Sequence, residues 1–387
     1  MAVLGGDEDL AGRILVVNAG SSSLKLRILG VDDSVVGAAD LPAPRGSVDA
    51  ANVADAVRDL GPVAAVGHRI VHGGTAFSGS VRIDRSVIER LERVTDLAPL
   101  HQPKSLAAFA AVDAVLPDIP AVACFDTAFH ATLPAAASTY ALPVEWRKRW
   151  DLRRFGFHGL SHAYAARRAT ELLGRPAEGL RLVTCHLGAG ASLAAVLGGV
   201  SVDTTMGFTP LEGLVMATRS GSVDPGLVLW LAEHVGMPPA ELAATLEHRS
   251  GLLGLAGTAD MRAIIGSVNA GEPRARLALD VYIHRLRAGI AAMTASLGGL
   301  DALLFTGGVG ERAPMVRAMA ASGLGFLGVE IDAERNGSGP ADREIGADGA
   351  RVRVLVIAAG EDREIAREVR TVLGLSPAQP DAAGLRR

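Results

Sequence analysis

The chain has 387 residues, of which 49% are hydrophobic and 21% charged, so it is too long for one ordinary core and too apolar for a disordered protein. Its net charge of −4 and pI near 6.2 argue against a general nucleic-acid-binding protein, which would carry a basic face. The acidic start, MAVLGGDEDLAGR, lacks the order of a signal peptide, and Cys124 and Cys185 lie in apolar runs that suit buried free thiols. We therefore predict a cytoplasmic protein.

The first predicted element is a β-hairpin, with strands at Ile14 to Val17 and Leu24 to Leu29 around the polar turn Asn-Ala-Gly-Ser-Ser-Ser. A second hairpin of the same kind is predicted over Leu180 to Leu197. We place Ala19-Gly20-Ser21-Ser22 and Ala189-Gly190-Ala191-Ser192 at equivalent positions. This pattern suggests a duplication in which each half opens with a glycine-bearing hairpin.

The second hairpin has a membrane alternative, because the stretch from Leu182 to Val202 has no charged side chain unless His186 is protonated, and it could span a bilayer. Its glycines and hydroxyl residues place turn chemistry in the middle of the stretch. A strand–turn–strand unit is the better interpretation, and we expect no membrane association.

A third glycine unit follows later in the chain. Ala302 to Phe305 is predicted as a strand, Gly307-Gly308-Val309-Gly310 as a tight turn, and Pro314 as part of a helix's first turn. Before it, Arg274 to Leu297 has the spacing of an amphipathic helix, with apolar residues at Leu277, Val281, Leu286, Ile290 and Met293. Strands that alternate with helices indicate the α/β class, and the tail after Leu375 is predicted to be disordered.

The glycine turns are candidates for phosphate binding by backbone amides, since glycine allows the closest approach. None is a Walker A loop, because GxxxxGK[ST] does not occur, and none is a GxGxxG that opens a helix after a strand. Three such units favour a phosphate site, with ordinary structural turns as the alternative.

Charged residues beside these units sharpen the prediction. Arg69 in GHRIVHGG and Arg219 in MATRSGSVDPG are flanked by glycines, small residues or histidines rather than by helical surface patterns, which suits a fixed phosphate-binding fork. Asp126 directly follows an apolar strand, where α/β folds place ligand-binding groups, although a helix N-cap is an alternative. His158 and His162 have the spacing of a helical metal site, but the glutamate of HExxH and a third ligand are missing, so zinc is disfavoured.

These segments, in this order, resemble the acetate kinase family, and together they cover most of the chain: LVVNAGSSSLK, GHRIVHGG, APLHQP, FDTAFH, FGFHGLSH, TCHLGAGAS, DTTMGFTPLEGLVMATRSGSVDPG, FTGGVGER and GEDREIA. The resemblance implies two similar α/β domains of the actin-like, ribonuclease H-like type with an interdomain active-site cleft. Residues 1–130 plus about 363–387 would carry the first phosphate loop and part of the acetate site. Residues 131–362 would carry the second phosphate loop and the adenosine site.

The resemblance also implies a reaction, the reversible Mg²⁺-dependent phosphoryl transfer between ATP and acetate that gives acetyl phosphate and ADP, with Mn²⁺ as an alternative metal and a homodimer as the assembly. The implied catalytic residues are Asp126, Arg69, Arg219 and His158, with His158 and Arg219 stabilising the transition state. The implied metal ligands are Asn18 and Glu361. Arg69, Val71, Leu100, Phe157 and Pro210 would bind acetate. The implied nucleotide-binding residues are Lys25, His186, Leu187, Gly188, Ala189, Gly190, Asp260, Met261, Arg262, Gly308, Val309, Gly310 and Arg312.

Three departures from the family pattern concern the nucleotide. Ala189 stands where the second loop usually has asparagine, Arg312 stands where the adenosine loop usually ends in asparagine, and Ala359-Gly360 replaces the usual residues before the glutamate. The alternatives are therefore a propionate kinase or a family member with another phosphoryl donor such as pyrophosphate. A non-catalytic nucleotide switch of the actin and chaperone type is a further alternative, but it would need no acyl-phosphate site.

Overall fold

The computed structural model describes residues 12–20, 23–42, 49–95 and 102–375. The chain divides into two compact units, the first formed by Met1–Phe129 with Gly360–Arg387 and the second by His130–Ala359. Each unit has its own sheet and its own helices. Helices and strands are numbered along the chain.

The described part of the first unit holds one six-stranded sheet, in the order β3-β2-β1-β4-β6-β5. The strands β1, β2 and β3 are antiparallel neighbours, β4 and β6 run parallel to β1, and β5 is antiparallel to β6. The bounds are β1 (Ile14–Ala19), β2 (Ser23–Leu29), β3 (Val35–Pro42), β4 (Ala65–Ile70), β5 (Val81–Arg82) and β6 (Ala121–Phe125).

Helices cover both faces of this sheet: α1 (Ala50–Leu60), α2 (Arg85–Arg93), α3 (Gln102–Asp113) and the last helix, α15 (Glu361–Leu373). Asp49 begins α1 because its carboxylate accepts hydrogen bonds from the backbone amides of Ala51 and Asn52. α15 packs against β1, β4 and β6. A Cβ at Gly67 of β4 would lie 2.5 Å from Cγ2 of Ile365, so only glycine permits this close approach of α15.

The second unit repeats this architecture. Its sheet has the order β11-β12-β10-β7-β8-β9, with β7 to β9 antiparallel, β10 and β12 parallel to β7, and β11 antiparallel to β12. The strand bounds are β7 (Arg181–Leu187), β8 (Ala191–Leu197), β9 (Val200–Thr204), β10 (Ala302–Thr306), β11 (Arg343–Glu344) and β12 (Arg353–Val356). The helices are α4 (Ala135–Ser138), α5 (Val144–Trp150), α6 (Gly159–Leu173), α7 (Pro225–Glu233), α8 (Pro239–His248), α9 (Gly251–Ala256), α10 (Met261–Asn269), α11 (Pro273–Leu297), α12 (Gly307–Arg312), α13 (Pro314–Ser322) and α14 (Ala333–Gly337).

The two sheets share one topology, because β7 to β12 occupy the places of β1 to β6 in the same order and directions. The predicted α/β class, the two glycine-bearing hairpins and the similarity of the two halves are confirmed. The predicted equivalence of the two turns is wrong by two residues. Ala19 ends β1, whereas Ala189 lies in the turn after β7, and Ala191 and Ser192 already belong to β8.

Two further predictions need correction. Gly307 to Gly310 is not a tight turn but the start of α12, because a left-handed Gly307 (φ 77°) breaks the chain direction and the following residues then close helical hydrogen bonds. The helix predicted from Arg274 to Leu297 is confirmed as α11, but Leu277 is 59% exposed and lies outside its buried stripe. The predicted disordered tail after Leu375 falls outside the described residues.

The stretch with the membrane alternative forms β7, β8 and most of β9, which supports the strand–turn–strand interpretation. Across the described ranges, no helix combines the length and the apolar character that a bilayer crossing requires. Cys124 and Cys185 are buried free thiols, as predicted.

Candidate active site

Three polar side chains lie at the carboxyl edge of the first sheet. Asn18 is the penultimate residue of β1, Arg69 that of β4, and Asp126 follows β6 directly. Because these strands are parallel, their ends meet at one edge of the sheet, where α/β folds bind ligands. Arg69 joins the three: Nη2 lies 2.7 Å from Oδ2 of Asp126, Nε lies 3.1 Å from Oδ1, and Nη1 donates to Asn18 Oδ1 at 3.0 Å.

Arg69 and Asp126 form an ion pair in which Asp126 is buried and Arg69 is half-buried. Burial works to lower the pKa of Arg69, but the carboxylates of Asp126 and Glu361 outweigh it and raise that pKa. Burial raises the pKa of Asp126, although Arg69 opposes the shift. Both oxygens of Asp126 accept hydrogen bonds from Arg69, which suits an orienting role better than the alternative of a helix cap.

The beginning of α15 brings two carboxylates to the same edge. The Asn18 side-chain amide lies 3.3 Å from Oε2 of Glu361 and 3.5 Å from Oδ1 of Asp362. Burial, and next the negative charge of Glu361, raise the pKa of Asp362, and the exposed Lys25 on β2 partly opposes this. Asp362 is a site residue that the sequence analysis missed, although it adjoins Glu361.

Of the other residues implied to bind acetate, Leu100 falls outside the described residues. Val71 is buried but is not part of the strand that carries Arg69, since β4 ends at Ile70, whose carbonyl accepts the Asp126 amide as the last ladder bond. The alternation of an extended strand therefore does not relate Val71 to Arg69. In the second unit, Phe157 is buried, and Pro210 accepts a hydrogen bond from Arg219 Nη1 at 3.1 Å.

The glycine turn of the second unit lies against His158 and Arg219. A Cβ at Gly190 would lie 3.0 Å from Nε2 of His158 and 3.5 Å from Nη1 of Arg219, so glycine allows both side chains to approach the turn closely. The Ala217 amide donates to the Ala189 carbonyl at 3.0 Å, which ties the segment before Arg219 to the turn. Burial lowers the pKa of Arg219, and Glu247 opposes that shift from 3.9 Å.

His158 is held in an unusual backbone conformation. It immediately precedes α6 with φ 57°, in the left-handed region that non-glycine residues rarely adopt and that commonly marks functional positions. Its Nδ1 lies 2.9 Å from Ser192 Oγ, and its ring stacks on that of His186, with 4.4 Å between centroids. His186 lies 2.7 Å through Nδ1 from Ser161 Oγ. No set of three histidine, cysteine or acidic side chains suited to a metal occurs in the described ranges, and both histidines of the pair His158 and His162 contact hydroxyls instead.

A cavity of about 510 Å³ lies beside the same glycine turn in the second unit. Eight of the predicted nucleotide-binding residues line it, and they come from three separate segments: Gly188, Ala189, Asp260, Met261, Arg262, Gly308, Val309 and Arg312. Asp260 caps α10 and also holds the exposed Arg262 side chain at 2.9 Å. Sequence reasoning missed the apolar wall of the cavity, which includes Leu252, Ile265 and Tyr282.

The other predicted nucleotide-binding residues lie elsewhere. Leu187 and Gly310 are buried under the cavity's glycine segments, His186 and Gly190 adjoin His158, and Lys25 lies on β2 of the first unit.

Comparisons with known proteins agree with this arrangement. A model described as the Acetokinase family matches residues 47–367. Acetate kinase of Gloeobacter violaceus is 52% identical over 314 residues, which are 81% of this chain and 77% of that protein. The crystal structure of Porphyromonas gingivalis acetate kinase superposes with a TM-score of 0.86 at 35% identity and covers 94% of this chain and 100% of that one. A propionate kinase from Francisella tularensis superposes with a TM-score of 0.86 at 34% identity and covers 93% and 100% of the two chains.

Proposed function

This chain belongs to the acetokinase family, and from that premise we propose that it transfers a phosphoryl group reversibly between ATP and acetate, giving acetyl phosphate and ADP. It is thus a phosphotransferase with a carboxyl group as acceptor. The observation that carries the proposal is the half-buried Arg219, which lies with His158 against the glycine turn of the second unit.

Phosphoryl transfer needs in-line positioning and neutralisation of charge on the equatorial oxygens, with little covalent help from the protein. Arg219 and His158 supply that charge, and Arg69 binds the acetate carboxylate while Asp126 fixes its guanidinium plane. Acetate is already an anion at neutral pH, so the reaction needs no strong general base. Asp126, which bonds to Arg69 through both oxygens, is therefore an orienting group.

We assign the Mg²⁺ site to Asn18 and Glu361, with Asp362 beside them. Both carboxylates converge on the same amide group, and oxygen ligands from one or two carboxylates suit Mg²⁺, which keeps several waters and binds substrate phosphates. The excess negative charge also fits a cation, because Asp362 has a raised pKa that the charge of Glu361 helps to produce. When bound, the metal would neutralise phosphate oxygens, and Mn²⁺ would satisfy the same donors.

The direct test is hydroxylamine trapping of acetyl phosphate from acetate, ATP and Mg²⁺. Formation of acetohydroxamate that depends on both acetate and the donor is the expected result. A parallel screen with GTP and pyrophosphate identifies the donor, since Ala189 and Arg312 depart from the family pattern. Nucleotide binding without acyl phosphate formation with any donor or short carboxylic acid would instead support a nucleotide switch.

We expect Ala189→Asn to lower KM for ATP with less effect on KM for acetate. Ala189 lines the cavity of the second unit, and an amide there can donate to a phosphate, an interaction of roughly 1.5–3 kcal/mol. Steady-state kinetics with each substrate varied in turn measure the effect. A raised KM for ATP would mean that another group already occupies this position, and Arg312, which lines the same cavity, is the first candidate.

We propose that Val71 determines the preference between acetate and propionate. Val71 is buried and follows Arg69 by two residues in the sequence. We expect Val71→Ala to raise kcat/KM for propionate relative to acetate by about tenfold, because one methylene in an apolar pocket is worth about 1–3 kcal/mol. Kinetics with both acids in the wild type and the variant measure the ratio. An unchanged ratio would make Val71 a residue of structural packing alone, and a wild type that prefers propionate would make the chain a propionate kinase.

We also propose a homodimer and a cytoplasmic location. The support for a dimer is α7, which has no buried residue although it exposes Leu227, Leu229 and Trp230. A helix with this many exposed apolar side chains is typical of a surface that a second subunit covers. Light scattering measures the molar mass and so tests the homodimer. The support for the location is the pair of buried free thiols, which persist in a reducing compartment.

A further inference from the structure

Behind His158, a line of hydrogen-bonding groups runs into the core of the second unit. His158 Nδ1 lies 2.9 Å from Ser192 Oγ, and the same oxygen lies 2.8 Å from Nε2 of His162. His162 Nδ1 in turn lies 2.7 Å from Thr184 Oγ1, which donates to the Ala194 carbonyl at 3.4 Å. Ser192, His162 and Thr184 are completely buried.

This line has a direction because its last member is a carbonyl oxygen, which can only accept. The Thr184 hydroxyl gives its proton to Ala194, so it accepts from Nδ1–H of His162. Burial, with His130 and His186 nearby, lowers the pKa of His162 well below its usual range, so the ring is neutral and its Nε2 is an acceptor. Ser192 therefore donates to His162 and accepts from Nδ1–H of His158.

We propose that Ser192 and His162 are positioning residues that keep a proton on Nδ1 of His158, so that His158 gains and loses protons only at Nε2, the nitrogen beside Gly190 and Arg219. The inference rests on the proposed function, in which that nitrogen faces the transferring phosphoryl group. A protonated Nε2 donates to an anionic oxygen, whereas the opposite tautomer would change which nitrogen titrates.

The positively charged neighbours of His158 explain why a fixed acceptor at Nδ1 matters for its protonation. His186 of β7 stacks on the His158 ring, and Arg219, from the segment after β9, lies with Nε2 of His158 against Gly190. Positive charge on Arg219, or on His186, works against a second proton on His158. A fixed acceptor at Nδ1 works in the other direction, because Ser192 stabilises the imidazolium through a hydrogen bond.

The test is the tautomer of His158 in the full-length wild-type protein, read from long-range ¹H–¹⁵N correlation spectra with ¹⁵N-labelled histidine. His158→Gln identifies the resonances. We expect a protonated Nδ1 throughout and a titrating Nε2, and a neutral form protonated at Nε2 would overturn the inference. The spectra do not depend on turnover, so a failure to form acetyl phosphate would refute the proposed function and leave this result standing.

Ser192→Ala supplies the kinetic arm. It should lower kcat by about tenfold with little change in KM for ATP, and shift the alkaline limb of the kcat/KM profile to lower pH by about one unit, since the imidazolium loses its acceptor. Ser201→Ala is the matched control, because Ser201 is an equally buried serine that lies 2.8 Å from a different histidine, His130. A folded Ser192→Ala protein with the wild-type profile, or an equal shift in Ser201→Ala, would overturn the positioning role.

Discussion

Arg219→Lys is expected to lower kcat by about 10²–10³-fold and to recover little of the activity lost in Arg219→Ala. The guanidinium donates to the Pro210 carbonyl through Nη1 while it lies beside Gly190, so its plane is fixed. Among the described residues, the nearest carboxylate is that of Glu247, 3.9 Å from Nε, which leaves most of the positive charge available to an anion. An ammonium group cannot hold two oxygens in the same plane.

Arg276→Lys is the matched control for this prediction, since Arg276 is an exposed arginine of α11 that pairs with Asp280 in the same helix. Initial rates at saturating substrate measure kcat, and circular dichroism confirms folding. We expect the control to turn over at the wild-type rate. Near wild-type turnover in a folded Arg219→Lys protein would show that the guanidinium of Arg219 does not stabilise the transition state.

Arg317→Ala is expected to destabilise the second unit by on the order of 3–5 kcal/mol. Arg317 is 0% exposed, and its guanidinium donates to the Gly310 and Glu311 carbonyls and to both oxygens of Asn336, at 2.6–2.8 Å. Burial, with Arg343 nearby, lowers its pKa to about 10, so it is charged at neutral pH. Alanine would leave four acceptors, three of them buried, without their donor and would open a cavity.

The measurement is equilibrium unfolding in urea, followed by circular dichroism and by nucleotide binding. Arg351→Ala is the control, because Arg351 is exposed and donates to a single carbonyl, that of Leu327, so its loss should cost about 0.5 kcal/mol or less. Since Arg317 bonds to the last turn of α12, which carries Gly308 and Val309, KM for ATP should rise in the same variant. An unfolding midpoint equal to that of the control would show that Arg317 is dispensable.

Residues at the ends of strands were the part of the site that the sequence could predict. Asp126 directly follows an apolar run, whereas Arg69 was chosen for the glycines and histidines around it. Parallel strands then bring the two positions together. The hairpins were predictable for a similar reason, because β-branched runs around glycine-rich turns are local signals. These predictions needed no knowledge of distant contacts.

Features that depend on tertiary contacts escaped prediction. Glycine is a poor helix former, so the helix α12 could not be inferred from Gly307 to Gly310, and packing against β7 and β10 decides it. The end of β4 at Ile70, just before Val71, depends on pairing with β6 and could not be located from the sequence. Ser192 and His162 are distant in sequence, and only the packing of α6 against the second sheet brings them together.

The placement of α15 constrains the order in which the two units can finish folding during synthesis. This helix carries Glu361 and Asp362 and packs on β1, β4 and β6, yet it is synthesised after the whole of His130–Ala359. At about 5–20 residues per second, a ribosome needs roughly 10–50 s to make that intervening unit. During this interval the first sheet lacks the helix that covers Gly67, and its apolar face is exposed. When α15 follows, it closes the core of the first unit and adds the carboxylates beside Asn18 in the same event, so this cluster of side chains is completed only after the intervening unit has been synthesised.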